Sequence, residues 1–418
     1  MSELWPTTKV GDCCDILDSL RVPLNAEERE DIQGDIPYYG ANGLQGYIDK
    51  FIFDEPLILV AEDGGYFDEY ESRSIAYRIR GKSWVNNHAH VLRAKVGGAF
   101  AQDFIFYCLE HKNLMPFIKG GTRAKLNQAE LREILIPNPP EPIQFRIAEI
   151  LSTVDEAIEH TEALIAKYQQ IKAGLMHDLF TRGVTRDGHL RPTRAQAPHL
   201  YKDSPLGWIP KEWEVSSCAA EFHIDSGITL GPHRRPAKTA HPYLRVANVF
   251  RDKVVLDKVA LLEAFPGEVE TLGLKTFDLL LVEGHANRNE IGRCSMVFND
   301  AEGMLFQNHL FRLCATRIDP RYALLWLNSS HAQHYWDIHC ATSSGLNTIN
   351  RSKLGRMPIC VPSDEEQHRI VSACFASREA EVMEARYLAN LRQQKQGLMQ
   401  DLLTGRMRVK VGEAGMPV

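Results

Sequence analysis

Apolar residues step through the middle of the chain in alternating fours and threes: Ile147, Leu151, Val154, Ile158, Thr161, Ile165 and Tyr168. That spacing draws one narrow stripe along an α-helix, the seam of a coiled coil. Pro137, Pro139, Pro140 and Pro142 forbid a helix upstream and Gly183 closes it downstream, which predicts a long helix over 143–182. About 37 residues at about 1.5 Å each make a rod near 55 Å. A second such stretch, 363–405, is poorer in its first half, where Ser377, Glu381 and Glu384 take seam positions; Leu388, Leu391, Leu398 and Leu402 restore the stripe. Elsewhere the pattern is one of short strands and many turns. Residues 56–61, 74–79 and 279–282 read as strands, and 101–111 and 320–329 as helices. Residues 183–213, polar and rich in Gly and Pro, read as a connector and strand edge.

The chain says part of itself twice. At a shift of 223 residues, Gln144, Arg146 and Ile147 fall on Gln367, Arg369 and Ile370. Further on, Gln170, Lys172, Gly174, Leu175, Met176, Asp178, Leu179 and Thr181 fall on Gln393, Lys395, Gly397, Leu398, Met399, Asp401, Leu402 and Thr404. The match extends back through Asn127/Asn350, Leu131/Leu354, Ile136/Ile359 and Pro139/Pro362, and with two gaps reaches Asn87-His88 against Asn308-His309. Two unrelated amphipathic helices would not keep one spacing over so many positions. A repeat of this length sets the plan: variable domain, long helix, variable domain, long helix.

Composition narrows the class. With 418 residues, 44% hydrophobic and 24% charged, the chain has material for two or three packed domains and is neither disordered nor membrane-spanning in character. The start MSELWPTTKVGD has no basic head or apolar core, so no signal peptide is expected. Nine scattered cysteines, with Cys13 and Cys14 adjacent and no C-x-x-C pair, read as reduced cytosolic thiols. The net charge of −6 lies in residues 1–140, while 201–362 carry +1. No segment is an electrostatic magnet for phosphate, so a DNA-binding chain of this composition would rely on a partner for much of its phosphate contact.

Several motifs imitate chemistry. Asn138-Pro139-Pro140 has the form of an adenine methyltransferase motif, but Glu141 follows where a base-stacking aromatic belongs, and the triplet leads into a helix. No G-x-G-x-x-G follows a strand and no phosphate-cradling G-x-x-x-x-G-K-[ST] exists. Asp103 with Glu110 and Lys112 mimics a nuclease set, yet reads better as one face of an amphipathic helix. His331, His334, His339 and Cys340 match no standard zinc spacing, so no metal is expected.

The run PNPPEPIQFRIAEILSTVDEAIEHTEALIAKYQQIKAGLMHDLFTRGV resembles the central region of type I restriction-modification specificity subunits. PSDEEQHRIV followed by LRQQKQGLMQDLLTGRMRV resembles their C-terminal region, and residues 39–95 resemble one class of their target-recognition domains. Asp364-Glu365-Glu366-Gln367 fits the family's Pro-x-x-Glu-Gln well; Glu141-Pro142-Ile143-Gln144 fits it less well. The resemblance implies an α+β fold: two target-recognition domains of mixed α/β structure, separated by two long antiparallel helices in a coiled coil, with a pseudo-twofold internal repeat. The corresponding boundaries are 1–142, a helix over 143–182, 183–362 as connector plus second domain, a helix over 363–405, and a tail over 406–418.

The resemblance further implies a cytoplasmic subunit, not catalytic by itself, that reads a bipartite asymmetric sequence in double-stranded DNA. It would position two modification subunits, which methylate adenine, and the restriction subunits. No cofactor is expected on this chain, since S-adenosylmethionine, ATP and Mg would belong to the partners. The alternatives are a stand-alone methyltransferase or nuclease, or a helical adaptor that does not touch DNA. Base-reading candidates are loop residues that differ between the copies: Tyr39, Asn42, Glu62 and Asp63, then Arg245, Asn248, Glu283, Arg288 and Asn289. Asn87-His88 and Asn308-His309 recur in both copies, which favours a strand-end role or a shared backbone contact, because two different half-sites need different readers. Two small-residue segments are phosphate candidates or plain helix caps: 120–127, with Thr122, Arg123 and Lys125, and 341–347, with Thr342, Ser343, Ser344 and Asn347, each read as a loop before a helix.

Overall fold

The computed structural model describes residues 5–95, 101–118, 124–343 and 346–410. The chain divides into two compact units, Met1–Ala163 with Ala385–Val418, and Leu164–Glu384. Two helices of 41 residues, Glu141–Thr181 and Asp364–Thr404, each contribute one half to each unit. Pro142 falls in the first turn of the first helix, where its missing N–H costs nothing. Both helices stop at a glycine in the left-handed region, Gly183 (φ 66) and Gly405 (φ 76).

Within each unit the two half-helices run antiparallel. In the first, Lys395 reaches Asp155 (2.7 Å) and Arg392 reaches Glu162 (2.6 Å). In the second, Cys374 touches Met176 (3.3 Å), and Glu381 takes the Gln169 amide (3.1 Å) and the Lys172 ammonium (3.5 Å). Glu381 is thus half-buried in the seam with its charge answered, which is how the polar positions of the second helix are tolerated.

The sheets repeat as the helices do. The first unit holds a four-stranded antiparallel sheet in the order Cys14–Ile16, Ala89–Ala94, Leu57–Ala61, Ala76–Ile79. The second holds Phe222–Ser226, Leu310–Ala315, Leu279–Val282, Cys294–Met296 in the same order. In both, the third strand is buried on both faces, so it reads as an unbroken apolar run instead of alternating. Ile58 and Val60 face the core built on helix Gln102–Glu110, while Leu57 and Leu59 face a smaller second cluster. Leu279 and Leu281 pack toward helix Pro320–Leu327, and Leu280 and Val282 toward their own second cluster. A parallel pairing recurs beside each sheet, Tyr38/Trp84 with Tyr39/Val85, and Tyr243/Leu305 with Leu244/Phe306. The stretch 183–213 is more than a connector: Val184, Ile209 and Trp213 are buried in the second unit's core. Among the described residues no helix is long and apolar enough to cross a membrane.

The repeated glutamines explain themselves. Gln144 donates to the Pro139 carbonyl (2.9 Å) and accepts the Ala101 N–H (3.2 Å); Gln367 donates to the Pro362 carbonyl (3.0 Å) and accepts the Asp319 N–H (2.9 Å). Each is fully buried and ties the lead-in of a long helix to the start of a shorter one.

Candidate nucleic-acid interface

At one end of each four-stranded sheet the same backbone frame appears. In the first unit the Glu62 N–H donates to the His88 carbonyl (2.8 Å), and the Leu126 N–H donates to the Glu62 carbonyl (2.8 Å). In the second, the Glu283 N–H donates to the His309 carbonyl (3.0 Å), and the Ile349 N–H to the Glu283 carbonyl (2.9 Å). Three segments far apart in sequence therefore meet at each end: the exit of the buried strand, the Asn-His turn, and the segment leading to a short helix.

In the first unit this frame gathers Asn42, Glu62, Asp63, Asn87, His88 and Lys125. His88 Nδ1 lies 2.6 Å from Asp63 Oδ1, Lys125 Nζ 3.0 Å from Glu62 Oε1, and the Asn42 amide donates to the Gly64 carbonyl (2.9 Å). Asn87 is exposed at the turn, and its carbonyl accepts from Arg21 (3.4 Å). Tyr39 stands beside Tyr77 and gives its carbonyl to the Asn86 N–H (3.0 Å); burial pushes its hydroxyl above the ordinary tyrosine value. Behind Glu62 lies a group that no motif announced. Arg21 binds Glu62 (2.6 Å) and the Ala89 carbonyl (2.7 Å), and His90 lies between Asp18 (2.6 Å) and the Leu126 carbonyl (2.8 Å). Burial pushes the Asp18 and Glu62 carboxyls up. The hydrogen bond from His90 to Asp18, and those from Arg21 and Lys125 to Glu62, outweigh it and hold both below the ordinary carboxylate range. Asp18, Glu62 and His90 are the one group among the described residues with metal-ligating atoms all within 4.8 Å, and Arg21 and Lys125 already neutralise it.

In the second unit His309 Nδ1 lies 3.1 Å from Glu283 Oε2. Asn347, opposite His285 in a strand pair, donates to the Ala286 carbonyl (3.1 Å), and the Asn308 N–H donates to the Ile228 carbonyl (3.0 Å). The remaining candidates serve other ends. Asn248 is buried, accepting the Arg245 N–H (3.0 Å) and donating to the Val255 carbonyl (2.9 Å), while Arg245 reaches the Lys258 carbonyl (3.1 Å). Arg288 turns to Asp337 (3.6 Å), and the Asn289 carbonyl accepts from Arg251 (2.8 Å).

The segment 341–347 corrects an expectation. It is not a loop before a helix: Ala341–Ser343 pairs antiparallel with Leu346–Thr348, so its backbone groups serve a strand ladder, and the following helix Arg351–Arg356 is capped by Asn350, which accepts the Lys353 N–H (2.8 Å). The side chains of Thr342 and Ser343, and Ser344 altogether, lie outside the described residues, as do Thr122 and Arg123. Lys125 bridges Asp63 in an isolated strand contact, and Asn127 caps helix Gln128–Glu133 without a side-chain bond.

The imitative motifs resolve into scaffold. Pro139 gives its carbonyl to Gln144, and the Asn138 N–H donates to Pro6 (2.7 Å). Asp103 pairs with Arg80 (3.2 Å) and Glu110 with Lys395 (2.8 Å), so the two carboxylates face different cations. His331 stacks on Trp326 and His339 packs on Tyr335. All nine cysteines are free.

The fold resembles that of a solved type I restriction-modification S subunit. The chain matches the crystal structure of such a subunit from M. genitalium with a TM-score of 0.57 at 15% identity, over 96% of each chain. Residues 2–170 match the family described as the type I restriction modification DNA specificity domain. A putative type I restriction enzyme specificity subunit of Haemophilus influenzae is 36% identical over 145 residues, 35% of this chain and 36% of that one. The MjaVIII specificity subunit of Methanocaldococcus jannaschii is 22% identical over 98% of this chain and 94% of its own length.

Proposed function

We propose that this chain is the DNA-reading subunit of a type I restriction-modification complex, that it recognises a bipartite asymmetric target with one half read by each unit, and that it is not catalytic by itself. The observation that carries the reading is the doubled frame: Glu62, His88 and Leu126 in one unit and Glu283, His309 and Ile349 in the other make the same set of backbone bonds at the corresponding end of each unit's four-stranded sheet. Two like readers on one chain suit a target in two parts. The partners would be double-stranded DNA, two modification subunits that methylate adenine, and restriction subunits. S-adenosylmethionine, ATP and Mg would reside on those partners, and the assembly would work in the cytoplasm. The weak net charge of the second unit's region fits a reader whose partners add phosphate contacts.

The test is a methylation assay on mixed-sequence DNA with the purified chain alone, with its modification partner, and with the partner alone. Methyl transfer at a defined two-part sequence only when both are present is the expected result. Transfer by the chain alone would make it a methyltransferase in its own right, and site choice unaffected by the chain would leave it an adaptor.

A further inference from the structure

His88 and His309 hold matching places in the backbone frame, but the frame uses their carbonyls and leaves the rings free to do something else. Both rings are accessible, with 40% and 56% of the side chain exposed. Both give Nδ1 to a carboxylate, at 2.6 Å and 3.1 Å. The carboxylates are not counterparts. Glu283 is the counterpart of Glu62, yet Glu62 is taken by Arg21 and Lys125, and the neighbouring Asp63 meets His88 in its place. What recurs is therefore the arrangement, a ring with Nδ1 anchored and Nε2 turned away from the anchor, reached by different residues. A merely structural histidine would not need its acid supplied by a second route when the backbone bonds are already made.

Resting on the proposed reading of DNA, the geometry points to His88 and His309 as a duplicated pair of phosphate contacts, one for each half-site, each taking up a proton as DNA binds. In a neutral ring, an anchored Nδ1–H fixes the tautomer and leaves Nε2 with a lone pair. A phosphate oxygen only accepts, so Nε2 must gain a proton from solvent before it can donate, and the ring becomes an imidazolium between two anions. Phosphate is the part common to two different half-sites, whereas base edges differ. The charged groups around His88 are Asp63, Glu62, Lys125 and Arg21. Around His309 is Glu283.

The experiment measures affinity of the full chain for a mixed-sequence duplex across salt and pH, comparing wild type, His88→Gln/His309→Gln and His88→Arg/His309→Arg. Wild type is expected to bind more tightly at about pH 6 than at about pH 8. The Gln pair should lose that difference, bind at least roughly tenfold more weakly at the lower pH, and show a log–log salt slope shallower by about 1.8, near 0.9 per lost contact. The Arg pair, carrying fixed cations, should recover affinity and slope without the pH dependence. A Gln pair that keeps the wild-type slope and pH response overturns this inference and leaves DNA reading intact. A wild-type chain that binds no duplex at any pH, alone or with its modification partner, overturns both.

Discussion

At the residue scale, the group behind Glu62 is the most consequential arrangement in the first unit. Asp18, Arg21, Glu62 and His90 come from three segments and exclude water from one another, so removing one leaves a buried charge unanswered. Asp18→Asn should destabilise the chain by about 3 kcal/mol at neutral pH. The sign with pH follows from the depressed carboxyls: their contribution is complete above the ordinary carboxylate value and disappears as pH falls through the lowered folded values. Urea unfolding at neutral and strongly acidic pH checks this. The gap between wild type and Asp18→Asn should be wide at neutral pH and close in acid; a gap that persists in acid would place the cost in packing instead of charge.

At the element scale, the two long helices carry glycines of opposite meaning. Gly183 and Gly405 end them with positive φ, and a Cβ there would press on the Trp213 ring (2.6 Å) or the Trp5 ring (2.7 Å). The Trp5 indole also donates to the Leu402 carbonyl (3.1 Å), closing the last turn. Gly174 and Gly397 sit inside the helices with open space where a Cβ would go. Gly183→Ala and Gly405→Ala should each cost roughly 3 kcal/mol, from left-handed backbone plus crowding, whereas Gly174→Ala and Gly397→Ala should each add about 1 kcal/mol. Thermal unfolding of the four single variants decides it, and a destabilised Gly174→Ala would show that the helix interior needs that glycine for more than space.

At the scale of the whole molecule, each unit has its own sheet, its own hydrophobic clusters and its own copy of the candidate interface. Recognition built this way should be modular. On the proposed function, replacing residues 214–350 by the matching region of a type I specificity subunit should change one half of the methylated sequence and leave the other unaltered, as read by methylation mapping with a modification subunit. Loss of both halves would mean that the units read jointly, and retention of both would mean that the second unit does not read at all.

The elements were legible because their signals are local. The four-three seam reports the first long helix to within two residues of its observed ends, and the unbroken apolar run at 279–282 reports a strand buried on both faces. Gly183 announces the end of the first long helix by backbone chemistry alone. The internal repeat exposed the doubled plan, since residues with the same neighbours fold the same way. Convergence has no such signature. Nothing in the spacing of Asp18, Arg21, Glu62, His90 and Leu126 says that they share one point, because strand pairing between remote segments brings them there. The same holds for Asn248, a polar loop residue in sequence whose amide is used up inside its own loop, and for Ala341–Ser343, which suits a loop in sequence but pairs with Leu346–Thr348 as a strand. Period and composition dictate what each stretch becomes on its own. Which side chains face one another, and which remain free for a ligand, was decided only when the sheets closed and spent some polar groups on the fold.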